Sequence, residues 1–183
     1  MIDLTVARRY AKALLTLGKE DGKYKEYGEA LKGFTALLEK EPELKDALLN
    51  PVHGREDRHK LLLRIIDLVK MPPLVANLLK LLFDKNRLSA LAGVSQTYQQ
   101  QVDVLENVSR ARIKAAIPLD ETTQGRLQKT LEKLTGTTVV MDVEEDPGII
   151  GGIVARVGDL VLDGSVRTQL SSLRESLIKG EVL

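Results

Sequence analysis

The sequence predicts a mainly α protein. An N-terminal six-helix antiparallel bundle fills residues 1–107, and a small α+β domain with a β-hairpin and a C-terminal helix fills residues 108–183. Three observations carry this. Apolar residues recur at three- and four-residue spacings through the first hundred or so positions. The spacing then drops to two at "VSRARIKAAIPL". Finally, "DPGIIGGIVARVGDLVLDGSVRTQL" sets five glycines among β-branched and aliphatic residues, a composition of tight turns between short strands.

In the first helix, "TVARRYAKALLTLGKE", Val6, Tyr10, Leu14 and Leu17 form one stripe. Ala7, Ala11 and Leu15 widen it, so the helix is covered on two sides, and Gly18 and Gly22 are expected to end it. In the second, Tyr24, Tyr27, Leu31, Phe34 and Leu38 draw a seam for other helices. Pro42 suits the first turn of a short third helix that Asn50-Pro51 stops. The fourth carries Leu61, Leu62, Ile65, Leu68 and Val69. Pro72-Pro73 starts the fifth, "LVANLLKLLF", which is apolar on nearly every side and is therefore either central or partner-facing. The sixth runs from about Leu88 towards Glu106 with Leu91, Val94, Tyr98, Val102 and Leu105 inward. Short loops between six helices imply an antiparallel bundle.

Beyond a boundary near Asn107, Ala111, Ile113, Ala115 and Ile117 alternate with Arg110, Arg112 and Lys114, as on a half-buried strand ended by Pro118. Asp120 caps a helix that buries Leu127, Leu131 and Leu134 and stops at Gly136. "TTVVMDVEE" places Val139, Met141 and Val143 on one strand face. Ile153, Ala155 and Val157 then lead through a Gly158-Asp159 turn to Leu160 and Leu162. Gly151 and Gly152 permit a bulge or a close backbone crossing. Asp163-Gly164-Ser165 turns the chain into a final helix from roughly Ser165 to Ile178, with Ser165 or Asp163 as cap. Arg156, Asp163 and Arg167 are placed to form an ion-pair network at this corner.

Composition narrows the function. The net charge is +1, from 27 basic and 26 acidic residues, and aromatics make up only 3%. Both speak against a nucleic-acid binder, which needs a basic surface and stacking platforms. With no cysteine there is no disulfide, thiolate metal site, iron–sulfur cluster or cysteine nucleophile. "MIDLTVARRY" lacks the apolar core of a signal peptide. "LVANLLKLLF" is about half the length of a bilayer span and carries a lysine, so no direct membrane span is expected.

The glycines do not make a nucleotide site. No Gly-Lys-Ser/Thr follows them, and "GIIGGI" lacks the one-residue spacing of the dinucleotide fingerprint. "GIIG", Gly148 to Gly151, does match the Gly-x-x-Gly loop of KH RNA-binding modules, so a small RNA-binding protein is the alternative function. Ile149 and Ile150 are not phosphate-facing residues, however, and Asp146 repels phosphate. His53 and His59 have no zinc spacing, and no metal site or cofactor is expected. There is no nucleophile elbow, and the acid pairs Glu56-Asp57 and Glu144-Glu145 lie in polar context as solvated faces, so no catalytic residue is assigned.

Four segments carry a family resemblance. They are "TVARRYAKAL", "NPVHGREDRHKLL", "NLLKLLFDKNRLSAL" and "GIIGGIVARVGDLVLDGSVRTQLSSLRESL". In this order, over essentially the whole chain, the sequence resembles the delta subunit of bacterial F-type ATP synthases, whose mitochondrial relative is the oligomycin-sensitivity-conferring protein. The signature corner comprises Gly151, Gly152, Arg156, Gly158, Asp159, Asp163, Gly164, Ser165 and Arg167. Gly54 departs from the Ser or Thr cap common there, at little cost to a helix start.

The resemblance implies a non-catalytic stator subunit at the cytoplasmic face of the bacterial plasma membrane, held there through its complex. Its bundle is expected to bind the N-terminal helix of an alpha subunit of the catalytic head. Its C-terminal domain is expected to bind the C-terminal ends of the peripheral-stalk b subunits, resisting co-rotation during proton-driven synthesis. By the same resemblance the head-binding positions are Tyr10, Ala11 and Leu14 on the first helix, with Leu78, Leu81 and Leu82 on the fifth.

Overall fold

The computed structural model describes residues 4–179; the outermost residues of the two expected domains, 1–3 and 180–183, lie outside the described residues. The chain divides into two compact units, residues 1–105 and 106–183.

The first unit is helical. It comprises α1 (Leu4–Glu20), α2 (Tyr24–Lys40), α3 (Pro42–Leu49), α4 (Arg55–Leu68), α5 (Pro73–Asp84) and α6 (Leu91–Leu105), with a 3₁₀ turn at Leu88–Ala90. Prolines open α3 and α5, where the missing N–H costs no helical bond. Gly54 occupies the cap position of α4 without a side-chain bond.

One core joins the six helices. Ala7, Ala11 and Leu14 of α1 meet Leu31 and Phe34 of α2, Leu62 of α4, Val75, Leu79 and Leu82 of α5, and Val94 and Tyr98 of α6. The Tyr98 hydroxyl donates to the Tyr24 carbonyl at 2.9 Å, so its one polar atom is satisfied. α1 packs most extensively on α6.

Several expectations fail here for identifiable reasons. Gly18 does not end α1, which continues to Glu20. A Cβ at Gly18 would lie 3.0 Å from the Tyr24 Cα, so this glycine serves the close approach of α2. The left-handed turn is made by Gly22, at φ +75°. Leu68 and Val69 are exposed, and α4 buries Leu62, Ile65 and Ile66 instead. The helix ends there, so its last apolar residues pass beyond the face that meets the bundle. Leu105, the last residue of α6, is exposed for the same reason.

The second unit is a four-stranded sheet in the order β2-β1-β3-β4, formed by β1 (Val108–Ala115), β2 (Thr138–Glu145), β3 (Ile153–Val157) and β4 (Leu160–Asp163). β1 and β2 are parallel, from Val108↔Thr138 to Ala115↔Glu145. A parallel pair needs a crossover, and α7 (Glu121–Thr135) supplies it. β3 runs antiparallel to both β1 and β4. Ala111, Ile113, Leu131, Val139, Ala155 and Val157 form the core between α7 and the sheet. Gly136, at φ +69°, closes α7 in the left-handed conformation.

Ile117 and Leu134 are exposed rather than inward. β1 has already ended before Ile117, and Leu134 sits one residue from the end of α7. The chain closes with α8 (Val166–Lys179).

Candidate partner-binding surfaces

α5 decides what the first unit can offer. It buries Val75, Ala76, Leu78, Leu79, Leu82 and Phe83, which cover most of its circumference. The helix is therefore central, and only a narrow ridge through Asn77, Leu81 and Asp84 faces water. Leu81 is 43% exposed, whereas Leu82 beside it is 0% exposed.

α1 packs against α5. Ala11 and Leu14 belong to the core, Tyr10 is half-buried, and Leu17 is exposed. Of the six expected head-binding positions, Tyr10 and Leu81 thus present surface. Ala11, Leu14, Leu78 and Leu82 instead hold those two helices in the bundle. Reading the sequence missed Leu17 and the half-buried Val6 and Leu74 as accessible apolar groups of the same two helices. Their only signal was a stripe on α1 wider than one neighbour can cover. On another flank, α1 and α6 form a groove of about 570 Å³ whose floor includes Leu15 and whose rim carries Arg8, Lys12 and Lys19.

The glycine-rich corner of the second unit is a backbone crossing. The Gly164 N–H donates to the Ile153 carbonyl at 2.9 Å, and the Val166 N–H donates to the Gly151 carbonyl at 2.9 Å. Gly152 has φ +83°, and a Cβ there would lie 2.2 Å from the Gly164 oxygen, so no side chain fits. Gly158, at φ +58°, is the first residue of the two-residue hairpin turn with exposed Asp159, as type II′ turns require.

The expected ion-pair network is absent among the described residues. Asp163 accepts instead from the Ser165 N–H at 2.9 Å and the Thr168 hydroxyl at 2.8 Å. These bonds, the backbone one foremost, hold its carboxyl below the ordinary carboxylate range. The Ser165 hydroxyl, itself buried, accepts from the Thr168 N–H and caps α8. Arg156 and Arg167 donate to the Gly158 and Gly148 carbonyls. Asp163 spends its oxygens on the local Ser165 and Thr168 donors, and the two exposed guanidiniums reach turn carbonyls instead.

The Gly148–Gly151 run has no free amide for a phosphate. Gly148 and Ile149 donate to the Asp146 side chain and carbonyl, Ile150 to the Pro147 carbonyl and Gly151 to the Ile149 carbonyl. Asp146 is also paired with Lys114 at 3.0 Å. Among the described residues no group of acids and histidines is gathered for a metal ion. His53 lies 3.9 Å from Asp46, and His59 stacks near Phe83.

From this corner α8 carries Val166, Leu170, Leu173 and Leu177, spaced four, three and four, which is a coiled-coil seam. The three leucines are 56%, 58% and 65% exposed. Leu160, Val161 and Leu162 of the edge strand β4 are exposed too. The second unit therefore leaves one helix seam and one sheet edge without apolar cover.

Comparison with known proteins decides the family. The family model described as ATP synthase delta (OSCP) subunit matches residues 6–177. The chain belongs to this family.

The match runs through both units and takes in the α1/α5 ridge, the glycine corner and the α8 seam. Curated relatives agree over all or nearly all of their lengths. The chain is 45% identical over 175 residues to the ATP synthase subunit delta of Desulfotalea psychrophila, covering 96% of each chain. It is 43% identical over 183 residues to that of Desulfatibacillum aliphaticivorans, covering 100% of each. The fold is similar to that of a chain in the Toxoplasma gondii mitochondrial ATP synthase hexamer, with a TM-score of 0.72 at 21% identity, covering 94% of this chain and 97% of that one. Among the described residues no helix is long and apolar enough to cross a membrane.

Proposed function

We propose that this chain is a non-catalytic stator subunit of a rotary F-type ATP synthase. In this reading it links the N-terminal helix of an alpha subunit in the catalytic head to the C-terminal ends of the peripheral-stalk b subunits. It sits at the cytoplasmic face of the bacterial plasma membrane, held there through the complex, and resists co-rotation of the head while proton flow drives synthesis. A connector needs two separate binding surfaces on one chain. The observation that carries the proposal is that each folded unit leaves its own apolar surface uncovered, in a chain of this family. The first unit offers the ridge of Leu81 with Tyr10 and Leu17, and the second offers the α8 seam. Both suit helix-in-groove or helix-on-helix recognition.

The test is a calorimetric titration of the purified chain with a peptide of the alpha subunit's N-terminal helix from the same organism. One-to-one binding is expected. Leu81→Asp is expected to weaken it at least about tenfold, the loss of one well-packed apolar anchor. Circular dichroism should remain that of the parent, because Leu81 lies outside the core. Lys12→Glu, on the α1/α6 flank, is expected to leave the affinity unchanged. Leu82→Asp should instead unfold the bundle, since it buries an unpaired charge. Absence of binding by a folded chain, or binding sensitive to Lys12 and indifferent to Leu81, would overturn the proposed surface.

A further inference from the structure

A cavity of about 330 Å³ opens at one end of the helical unit, where α3, the start of α4, the end of α5 and the 3₁₀ turn meet. That volume falls in the range of small-molecule sites, roughly 300–1,000 Å³. Leu49, Phe83 and Leu88 supply apolar wall, and Asn86 and Ser89 supply polar groups. The charged residue on the wall is Arg58. Its Nε is buried and has no hydrogen-bond partner among the described residues. Its guanidinium carbon lies 5.7 Å from the centre of the Phe83 ring, a cation–π contact that gives the Nε–H no acceptor.

An arginine in this position is costly. A buried donor without an acceptor forfeits its desolvation energy, and more so when the group is charged. Two acids of the adjoining helices are engaged elsewhere. Asp84 faces Arg55 at 3.3 Å, and Asp46 faces His53 and the Asn50 amide. The cavity thus combines a half-buried guanidinium with one unpartnered N–H, two neutral polar side chains and an apolar wall.

We propose that this cavity binds a small organic monocarboxylate with a short apolar body. The planar fork of Arg58 matches a carboxylate in two parallel bonds. Ser89 and Asn86 supply further donors on the same wall, and the Phe83–Leu88 side takes the apolar body. Inorganic phosphate is the poorer fit, because one guanidinium faces a wall that is half hydrocarbon. The site lies apart from the ridge of α1 and α5, and it does not depend on the stator reading.

Sodium benzoate is the probe, titrated into the full chain at constant ionic strength and followed by amide chemical shifts. Benzamide serves as its neutral isostere and sodium phosphate as the competing oxyanion. Saturable shifts are expected at the amides of Leu49, Asn86, Leu88 and Ser89. Benzamide and phosphate should bind at least about tenfold more weakly, the effect of losing one charge-assisted hydrogen bond or the apolar contact. Arg58→Met should show the same loss. Ser89→Trp, at an exposed position, should occlude the cavity and abolish binding with an unchanged melting temperature, which keeps the test valid if Arg58→Met fails to fold. Equal binding of benzoate and benzamide, tighter binding of phosphate, shifts scattered away from these residues, or binding by the folded variants equal to the parent would each overturn the proposal.

Discussion

At the scale of single residues, the glycine corner is defined by one position. Gly152 combines a left-handed φ of +83° with a backbone oxygen where a Cβ would sit. Neither strain can relax alone, because the opposing Gly164 is tied to Ile153 by its own N–H. Gly152→Ala is therefore expected to destabilise the second unit by at least about 3 kcal/mol, measured by urea unfolding. Gly33 has open space around it in α2, so Gly33→Ala should instead be neutral or stabilising.

The Lys114–Asp146 pair makes a two-sided pH prediction. Lys114, by its hydrogen bond, holds the Asp146 carboxyl below its ordinary 3.8, and the Gly148 N–H adds to this. That contribution is complete above the unfolded value and is lost as pH falls through the folded one. The Lys114 ammonium is raised above 10.5 by the same carboxylate. Its contribution is complete below 10.5 and is lost as pH rises through the folded value. Asp146→Asn should therefore flatten the stability profile of the second unit at both ends and leave its curvature near neutrality unchanged. Unfolding curves across the pH range would show this. A variant whose acid and alkaline limbs match those of the parent would remove the pair from the account.

At the scale of elements, periodicity identified almost every helix and strand because each apolar stripe and each punctuating Gly or Pro is a local cause. What it could not supply was the occupant of a stripe. The α8 seam of Val166, Leu170, Leu173 and Leu177 has the spacing of a core helix, yet its leucines face water. A stripe looks the same whether its cover belongs to the same chain or to another. On α5 the family resemblance put Leu78 and Leu82 among the head-binding positions, and an all-round apolar helix could not show which of its sides the bundle takes. Burial on most sides uses those residues inside the bundle and leaves Leu81 on the ridge. The parallel pairing of β1 with β2 was hidden for another reason, since register is a property of two strands and a crossover, not of either strand's pattern.

The exposed seam leads to a test at the same scale. Leu170→Asp with Leu173→Asp is expected to leave the melting temperature of the chain unchanged within a few degrees, since surface substitutions are usually within about 0.5 kcal/mol. Under the stator reading it should abolish binding of a peptide from the end of a b subunit, measured by fluorescence anisotropy. Clear destabilisation would show that the seam is covered within the chain.

At the scale of the whole molecule, the two units differ in how much core each can form. The first gathers a continuous core from all six helices. The second gathers a smaller one around Ile113, Leu131 and Val139, and its terminal helix adds no described side chain to it. Small cores are marginal because the fraction of surface buried falls with size. Heating the full chain should therefore produce two transitions, with the second unit melting first and the helical signal of the bundle surviving it. A fragment of residues 1–107 should keep a cooperative helical transition, since the chain contacts divide at residue 105. Under the stator reading it should bind the alpha-subunit peptide with an affinity within about twofold of the full chain, a change far below the 1.4 kcal/mol of a tenfold loss, and it should not bind the b-subunit ends. The two functions would then reside in separately folding halves. If the fragment loses both partners while it remains folded, the head-binding surface must draw on residues beyond 107, and the division of labour between the units falls.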